Sequence, residues 1–131
     1  MTPVTIFIVD DDVAVRDSLK FLFESEGLDT EDFASGTEFV GHSRPAADDC
    51  IILDVQMPGM SGIDVLSRLR REGSVSPVIV ATSMPSSAMT KRAYSEGAFR
   101  VLDKPFDSDA LLGAVHEALH LAHRPATAEA V

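Results

Sequence analysis

Short apolar runs that end at polar residues recur along the chain. Three of these runs, residues 4–9, 50–53 and 78–81, contain almost no polar side chains. Continuous apolar runs of this length are typical of strands in a sheet that is covered on both faces. Two weaker runs, residues 28–34 and 99–102, complete a set of five predicted strands.

The segments between these runs carry apolar residues at helical spacing. The spacing is clearest in the first, third and last segments, at Val15, Leu19, Leu22 and Phe23, at Ile63, Leu66 and Leu69, and at Leu111, Leu112, Val115 and Leu119. A fourth helix is predicted over residues 88–96, and the weakest of the five is predicted over residues 37–42. Each predicted strand is therefore followed by a predicted helix.

Capping residues mark the boundaries of the predicted helices. Residues that favour the N-cap position stand before three of them, at Asp12, Ser61 and Asp107. Glycines that favour a helix end follow three of them, at Gly27, Gly73 and Gly97. Strict alternation of strand and helix, with right-handed crossovers, predicts an α/β fold: a doubly wound, five-stranded parallel sheet with helices on both faces.

Polar residues with chemical potential follow the predicted strands. They are Asp10, Asp11, Asp54, Thr82 and Lys104. In doubly wound sheets the functional crevice lies at the carboxyl ends of the strands, where the strand order reverses. The sequence therefore predicts that these five side chains share one crevice, although each alone could be a helix cap or a surface residue.

Composition and charge exclude several classes of protein. The chain has 131 residues, of which 45% are hydrophobic, as expected of one globular domain. A formal charge of −10 argues against direct contact with nucleic acid or anionic lipid. No apolar stretch approaches the ~20 residues of a membrane span, so we expect a cytoplasmic protein. We assign residues 1–123 to the domain and residues 124–131 to a flexible tail or linker stub.

The three aspartates predict a magnesium site. Carboxylates about 4 Å apart repel by roughly 4 kcal/mol at an effective dielectric constant of 20, so a cation is needed to offset three of them. Magnesium prefers oxygen ligands and is commonly held by one or two carboxylates together with phosphate oxygens. We expect Asp11 and Asp54 as direct ligands and Asp10 as an outer or water-mediated one. The carbonyl of Gln56 is a further candidate ligand.

Asp54 is the candidate nucleophile of this crevice. An ionised carboxylate can attack phosphorus and form an acyl phosphate. Such a transfer needs mainly positioning and charge neutralisation, which the metal ion and Lys104 can supply. The Thr82 hydroxyl can donate a hydrogen bond to a phosphate oxygen. The predicted chemistry is phosphoryl acceptance on Asp54.

Four motifs resemble those of one known family. They are residues 7–16 (FIVDDDVAVR), 53–62 (LDVQMPGMSG), 78–82 (VIVAT) and 103–106 (DKPF). In this order and spacing they resemble the response-regulator receiver domains of two-component signalling, and in particular the FixJ-like subgroup. The resemblance runs from about residue 4 to residue 122. It implies the flavodoxin-like (βα)5 receiver fold with strand order 2-1-3-4-5.

The resemblance also implies roles for the crevice residues. Asp54 would be phosphorylated by a sensor histidine kinase or phosphotransfer protein, while Asp10 and Asp11 would bind Mg²⁺. Thr82 and Lys104 would read the phosphoryl group. The bond between Lys104 and Pro105 would be cis, and the domain would promote only its own aspartyl phosphorylation and dephosphorylation rather than act as an enzyme.

An output surface is implied in the same way. The face between Met84 and Asp107 would change its affinity for an output partner protein, and it could also support a homodimer. Most such receivers are followed by an output domain, whereas this chain ends soon after its last predicted helix. A stand-alone receiver and a fragment of a longer protein both remain open.

A strand position and a loop depart from the family pattern. Where these domains usually carry a tyrosine or phenylalanine, three residues before the lysine, this chain has Val101. Met84 and Pro85 also stand in a loop that is glycine-rich in this subgroup. In the family, the threonine that reads the phosphoryl group is coupled to the aromatic ring. Because Val101 has no ring, this coupling is not expected here in its ordinary form.

Other functions share parts of this pattern. Haloacid-dehalogenase-type phosphatases share the aspartyl nucleophile, threonine, lysine and magnesium, but their second aspartate falls where this chain has Gln56. The chain also leaves little room for the substrate cap of such an enzyme. A receiver that acts as a phosphate sink, and an adaptor that binds partners without being phosphorylated, stay as further alternatives.

Overall fold

The computed structural model describes residues 4–42 and 45–122. In these residues five strands alternate with five helices, in the order β1 (Thr5–Val9), α1 (Val13–Ser25), β2 (Asp29–Phe33), α2 (Gly36–His42), β3 (Cys50–Asp54), α3 (Gly62–Arg71), β4 (Val78–Thr82), α4 (Ser87–Ser95), β5 (Arg100–Asp103) and α5 (Ser108–Ala122). All five predicted strands and all five predicted helices are present. The predicted tail, residues 124–131, lies outside the described residues.

The five strands form one parallel sheet in the order β2-β1-β3-β4-β5. The predicted fold class and strand order are therefore confirmed. Three strands extend farther than their apolar runs, because Asp54 pairs with Ala81 and Thr82 pairs with Asp103 in the ladder. Polar residues that were expected to follow β3 and β4 thus occupy the last positions of these strands, where each is paired with one neighbouring strand.

Alternate residues of the central strands face two separate cores. Phe7 and Val9 pack on the side covered by α2, α3 and α4, and Ile6 and Ile8 pack on the side covered by α1 and α5. Cys50 lies in the second core, and burial raises the pKa of its thiol to about 12. The thiol is therefore a packing group with no thiolate at neutral pH. Within the described part of the chain, no helix is long and apolar enough to cross a membrane.

The helix starts follow the predicted caps. The Asp12 carboxylate accepts from the backbone N–H two residues on, and the Asp107 carboxylate from the N–H three residues on. Ser61 and Asp64 form a reciprocal capping box before α3. Ser86 caps α4. The Thr82 hydroxyl at the end of β4 is therefore not the cap of that helix.

Arg70 ties together the loops at the amino end of the sheet. Its guanidinium donates to the carbonyls of Ser74 (3.1 Å), Ser76 (2.8 Å) and Gly97 (2.9 Å). These carbonyls belong to the loops that precede β4 and β5. One side chain therefore satisfies three backbone acceptors in two loops, and its planar, multiply donating group suits that task.

We predict that Arg70→Met lowers the free energy of unfolding by about 2 to 4 kcal/mol, because three acceptors lose their donor while the apolar stem is kept. Arg68→Met is the matched control, since Arg68 makes an exposed i, i+4 pair with Glu72 and should cost less than about 0.5 kcal/mol. Urea denaturation of both variants measures the difference. Equal losses would mean that the Arg70 contacts contribute no more than a surface pair.

Candidate functional site

The residues singled out from the sequence meet at the carboxyl edge of the sheet. Asp10 and Asp11 follow β1, Asp54 and Thr82 end β3 and β4, and Lys104 follows β5. One carboxylate oxygen from each of the three aspartates lies within 4.8 Å of the others. Asp10 and Asp54 are each only 3% exposed, whereas Asp11 is exposed. The cluster therefore has two buried carboxylates and one at its mouth.

Lys104 bridges the two buried carboxylates. Its Nζ lies 2.7 Å from Asp10 Oδ2 and 3.1 Å from Asp54 Oδ1. Its backbone N–H donates to the Thr82 carbonyl at 2.7 Å, and the following bond to Pro105 is cis, as predicted. Burial acts to lower the pKa of Lys104, but the hydrogen bonds and charges of the two aspartates outweigh it and raise that pKa. The ammonium is therefore retained inside the site at neutral pH.

Asp54 carries an electrostatic cost in the folded chain. Burial raises the pKa of its carboxyl, the hydrogen bond from Lys104 lowers it, and the charge of Asp10 raises it further. The net shift is upward, because burial disfavours the charged form more than one ammonium compensates. An additional cation near Asp54 would favour the ionised form that a nucleophile requires.

The charge and the donor atoms of this cluster fit a divalent cation. Lys104 balances one of the three carboxylate charges, so two negative charges of the cluster remain unbalanced. Carboxylate oxygens are the ligands that magnesium prefers, and the spacing of the three groups allows one ion to contact them together. Asp10, Asp11 and Asp54 could hold such an ion. The role of the Gln56 carbonyl as a ligand stays a prediction.

The Gln56 side chain has a contact that the sequence did not reveal. Its Oε1 accepts from the Thr82 hydroxyl at 3.2 Å and from the Ser83 N–H at 3.2 Å. The Thr82 hydroxyl also accepts from the Met84 N–H at 3.0 Å. Thr82 is fully buried, so its hydroxyl is held between Gln56 and the loop that leads to α4. A phosphoryl oxygen would have to compete with Gln56 for this donor.

Val101 lies beside an aromatic residue that comes from another element. Val101 is partly buried against the core under α3 and α4, and its N–H donates to the Tyr94 hydroxyl at 3.1 Å. Tyr94 is on α4 and is the only tyrosine of the sequence. Met84, the other atypical position, is exposed. The α4 helix is thus attached to the outer edge of β5 at the position where the family usually has its aromatic ring.

A groove lies next to this cluster, between α1 and the loop after β5. Its volume is about 430 Å³, and its lining includes Val15, Leu19, Phe106 and Lys104. Most of the lining is apolar, although it includes Lys104, whose ammonium contacts both buried aspartates. A surface of this kind can contact a protein while leaving the charged cluster within reach.

A doubly wound sheet with this group of side chains at its carboxyl edge is the arrangement of a receiver-type signalling module. A sequence model of the family described as "Response regulator receiver domain" matches residues 6–116. The chain belongs to that family.

Relatives and solved structures agree with this assignment. The chain is 40% identical over 114 residues to the transcriptional regulatory protein FixJ of Azorhizobium caulinodans, covering 87% of the chain and 54% of that protein. It is 41% identical over 117 residues to the response regulator protein TodT of Pseudomonas putida, covering 89% and 52%. The structure of the response regulator StyR matches with a TM-score of 0.86 at 39% identity, covering 92% of this chain and 61% of that one.

A crystal structure of FixJ-N matches with a TM-score of 0.81 at 29% identity, and covers 96% of this chain and 99% of that one. The chain thus matches this solved structure over almost its whole length. By contrast, it spans between 52% and 62% of the length of the FixJ and TodT proteins.

Proposed function

We propose that Asp54 accepts a phosphoryl group from a phosphohistidine of a sensor kinase or phosphotransfer protein. The observation that carries this proposal is the placement of the Asp54 carboxylate, 3.1 Å from the Lys104 ammonium and within 4.8 Å of oxygens of Asp10 and Asp11. Family membership supports phosphorylation-based signalling in general. The geometry supports Asp54 as the acceptor, since it is the carboxylate that combines a buried strand end with a direct ammonium contact.

The proposed transfer forms one bond and breaks one bond. An Asp54 oxygen attacks phosphorus, the bond between phosphorus and the histidine nitrogen of the donor breaks, and the imidazole leaves with its electron pair and takes a proton from solvent. Lys104 would pair with a phosphoryl oxygen as the negative charge of the group enters the site. The Thr82 hydroxyl would give up its hydrogen bond to Gln56 and donate a hydrogen bond to another phosphoryl oxygen. The apolar groove beside Lys104 would receive the donor protein.

A bound Mg²⁺ would neutralise the phosphoryl oxygens and the carboxylates during this transfer. Asp10, Asp11 and Asp54 are the residues proposed to hold it. Because the ion relieves a repulsion that exists only in the folded chain, Mg²⁺ should stabilise the unphosphorylated protein. At about ten times its dissociation constant the ion adds about 1.4 kcal/mol, or about 3 to 6 °C in Tm.

Differential scanning calorimetry with and without Mg²⁺ measures this shift. Asp11→Asn is the control, because it removes the exposed carboxylate while leaving the Lys104 contacts with Asp10 and Asp54 in place. The control should lose most of the Mg²⁺ response. An unchanged Tm of the wild type at millimolar Mg²⁺ would contradict the metal site.

The proposed output is a change in binding to a partner protein through the face between Met84 and Asp107. Thr82 is linked through the Met84 N–H to the loop before α4, and α4 is linked through Tyr94 to β5. Movement of the Thr82 hydroxyl toward a phosphoryl group would therefore reach both elements. A homodimer through this face is a second form of the same output. Relatives named as transcriptional regulators suggest that a longer protein would carry any contact with DNA.

We further propose that the chain has no external substrate and promotes only its own phosphorylation and dephosphorylation. Gln56 supports this, because the position two residues after Asp54 carries an amide bound to Thr82 and Ser83 rather than a carboxylate able to act as general acid or base. A phosphate sink has the same site and differs only in its output.

Intact-mass analysis after incubation with a small acyl phosphate donor tests the proposed function. The wild type should gain the mass of one phosphoryl group in Mg²⁺ and much less in excess chelator. The product should be labile to neutral hydroxylamine, as an acyl phosphate is, and fragmentation should place the group on Asp54. A protein that stays unlabelled at saturating donor and Mg²⁺ would instead support the adaptor alternative.

A further inference from the structure

Arg16 makes a contact at the acidic cluster that the proposed chemistry does not use. It lies in the first turn and a half of α1 and its side chain is only 14% exposed. Its Nη1 donates to the Asp10 carbonyl at 2.8 Å, and its Nε pairs with Asp32 Oδ2 at 3.1 Å. A guanidinium that is buried to this extent and aimed at a backbone oxygen is placed to fix a peptide group.

That carbonyl belongs to the peptide that joins Asp10 to Asp11. The next peptide joins Asp11 to Asp12, and its N–H donates to Asp10 Oδ1 at 2.9 Å. The Asp10 N–H in turn donates to the Phe33 carbonyl at 3.1 Å. The two peptide planes that flank Asp11 are therefore both held, and Arg16 holds the first of them.

The three carboxylates differ in how they are held. Lys104 contacts those of Asp10 and Asp54. Within residues 4–42 and 45–122, no hydrogen bond or ion pair to the Asp11 carboxylate is seen. The direction of the Asp11 side chain is therefore set by its backbone, and that backbone is set in part by Arg16.

We propose that Arg16 is a positioning residue for the divalent cation site, and that it orients Asp11 toward Asp10 and Asp54 through the Asp10 carbonyl. This inference rests on the proposed function, since it assumes that the acidic cluster takes Mg²⁺. It predicts an effect opposite in sign to simple electrostatics. Loss of a positive charge near three carboxylates would by itself tighten cation binding, whereas loss of the orientation weakens it.

Mg²⁺ titration by isothermal calorimetry separates these two effects in the unphosphorylated protein. Arg16→Gln should raise the Mg²⁺ dissociation constant about tenfold, as expected for loss of a group that orients a ligand. Lys20→Gln is the matched control: Lys20 pairs with the same Asp32 at 3.4 Å but leaves the Asp10 carbonyl contact intact. It should stay within about twofold of the wild type or bind slightly tighter.

Arg16→Lys provides a second variant in case Arg16→Gln does not fold. It keeps the charge but loses the planar fork that reaches both the Asp10 carbonyl and Asp32, so Mg²⁺ binding should again weaken. In labelling assays, both Arg16 variants should raise the Mg²⁺ concentration for half-maximal labelling more than they lower the rate at saturating Mg²⁺. Unchanged or tighter Mg²⁺ binding by either folded variant would overturn the inference. A wild type that binds no Mg²⁺ would instead overturn the proposed metal site itself.

Discussion

Asp54→Asn is expected to lower phosphoryl incorporation from a small donor at least about 100-fold, to the background of nonspecific labelling. Asparagine has nearly the same shape as aspartate, and its Oδ1 can still accept from Lys104. The substitution removes only the charge and the nucleophilic oxygen. Asp17→Asn is the control, because Asp17 is an exposed acid on α1 and its loss should leave labelling unchanged.

The same variant should be more stable than the wild type in Mg²⁺-free buffer at neutral pH. Burial raises the pKa of Asp54 above its ordinary value of 3.8, so the folded chain keeps a proton there at pH values where the unfolded chain has lost it. The contribution of Asp54 to stability is therefore fully present below that ordinary value, and is lost as the pH rises through the raised pKa. An amide at this position avoids the loss.

Urea denaturation across the acidic range measures this difference. The stability gap between Asp54→Asn and the wild type should narrow as the pH falls toward 3.8, because a protonated aspartate resembles asparagine. Saturating Mg²⁺ should also narrow the gap at neutral pH, since the ion favours the ionised wild type. A variant that is less stable than the wild type at neutral pH would show that the ion pair with Lys104 outweighs the cost of burying the Asp54 charge.

The labelling experiment has its own contradicting outcome. Full labelling of Asp54→Asn would show that Asp54 is not the phosphoryl acceptor.

The sheet and the members of the site could be predicted because each has a local signal. Apolar runs without alternation marked β1, β3 and β4, and these runs end at Asp10, Asp54 and Thr82, which lie at the crevice. A parallel sheet places all strand ends of one kind at one edge. The convergence of Asp10, Asp54 and Lys104 therefore followed from topology alone, although they are separated by up to 94 positions.

The supporting contacts could not be predicted, because each depends on a distance between elements. Arg16 was visible only as part of a motif, and nothing local shows that its guanidinium reaches the Asp10 carbonyl. The sequence suggested Gln56 as a ligand through its backbone carbonyl, whereas the structure shows that its side-chain Oε1 accepts a hydrogen bond from Thr82. Tyr94 is seven residues from Val101 on a different element, and only the packing of α4 on β5 brings them together. A polar residue at helical spacing gives no signal of such a partner.

Gly62→Ala is expected to lower the free energy of unfolding by about 3 kcal/mol or more. Gly62 begins α3, and its N–H donates to the Val55 carbonyl at 3.1 Å. A Cβ at this position would overlap the Asp54 carbonyl oxygen, and would lie 2.8 Å from the carbonyl carbon of Asp54 and 2.9 Å from the Val55 Cα. All three atoms are backbone, so no side-chain rotation relieves the contact. Either α3 or the end of β3 must move.

Movement of the β3 end would also displace the phosphoacceptor. Labelling of Gly62→Ala should therefore fall even under conditions where the variant is mostly folded, because the Asp54 carboxylate would leave the reach of Lys104. Gly113→Ala is the matched control: Gly113 lies inside α5, and an added Cβ there meets no atom within 4 Å. That substitution should raise stability by about 0.5 to 1 kcal/mol and leave labelling unchanged. If the free energies of unfolding of both variants lie within about 1 kcal/mol of the wild-type value, the start of α3 and the end of β3 are not in close backbone contact.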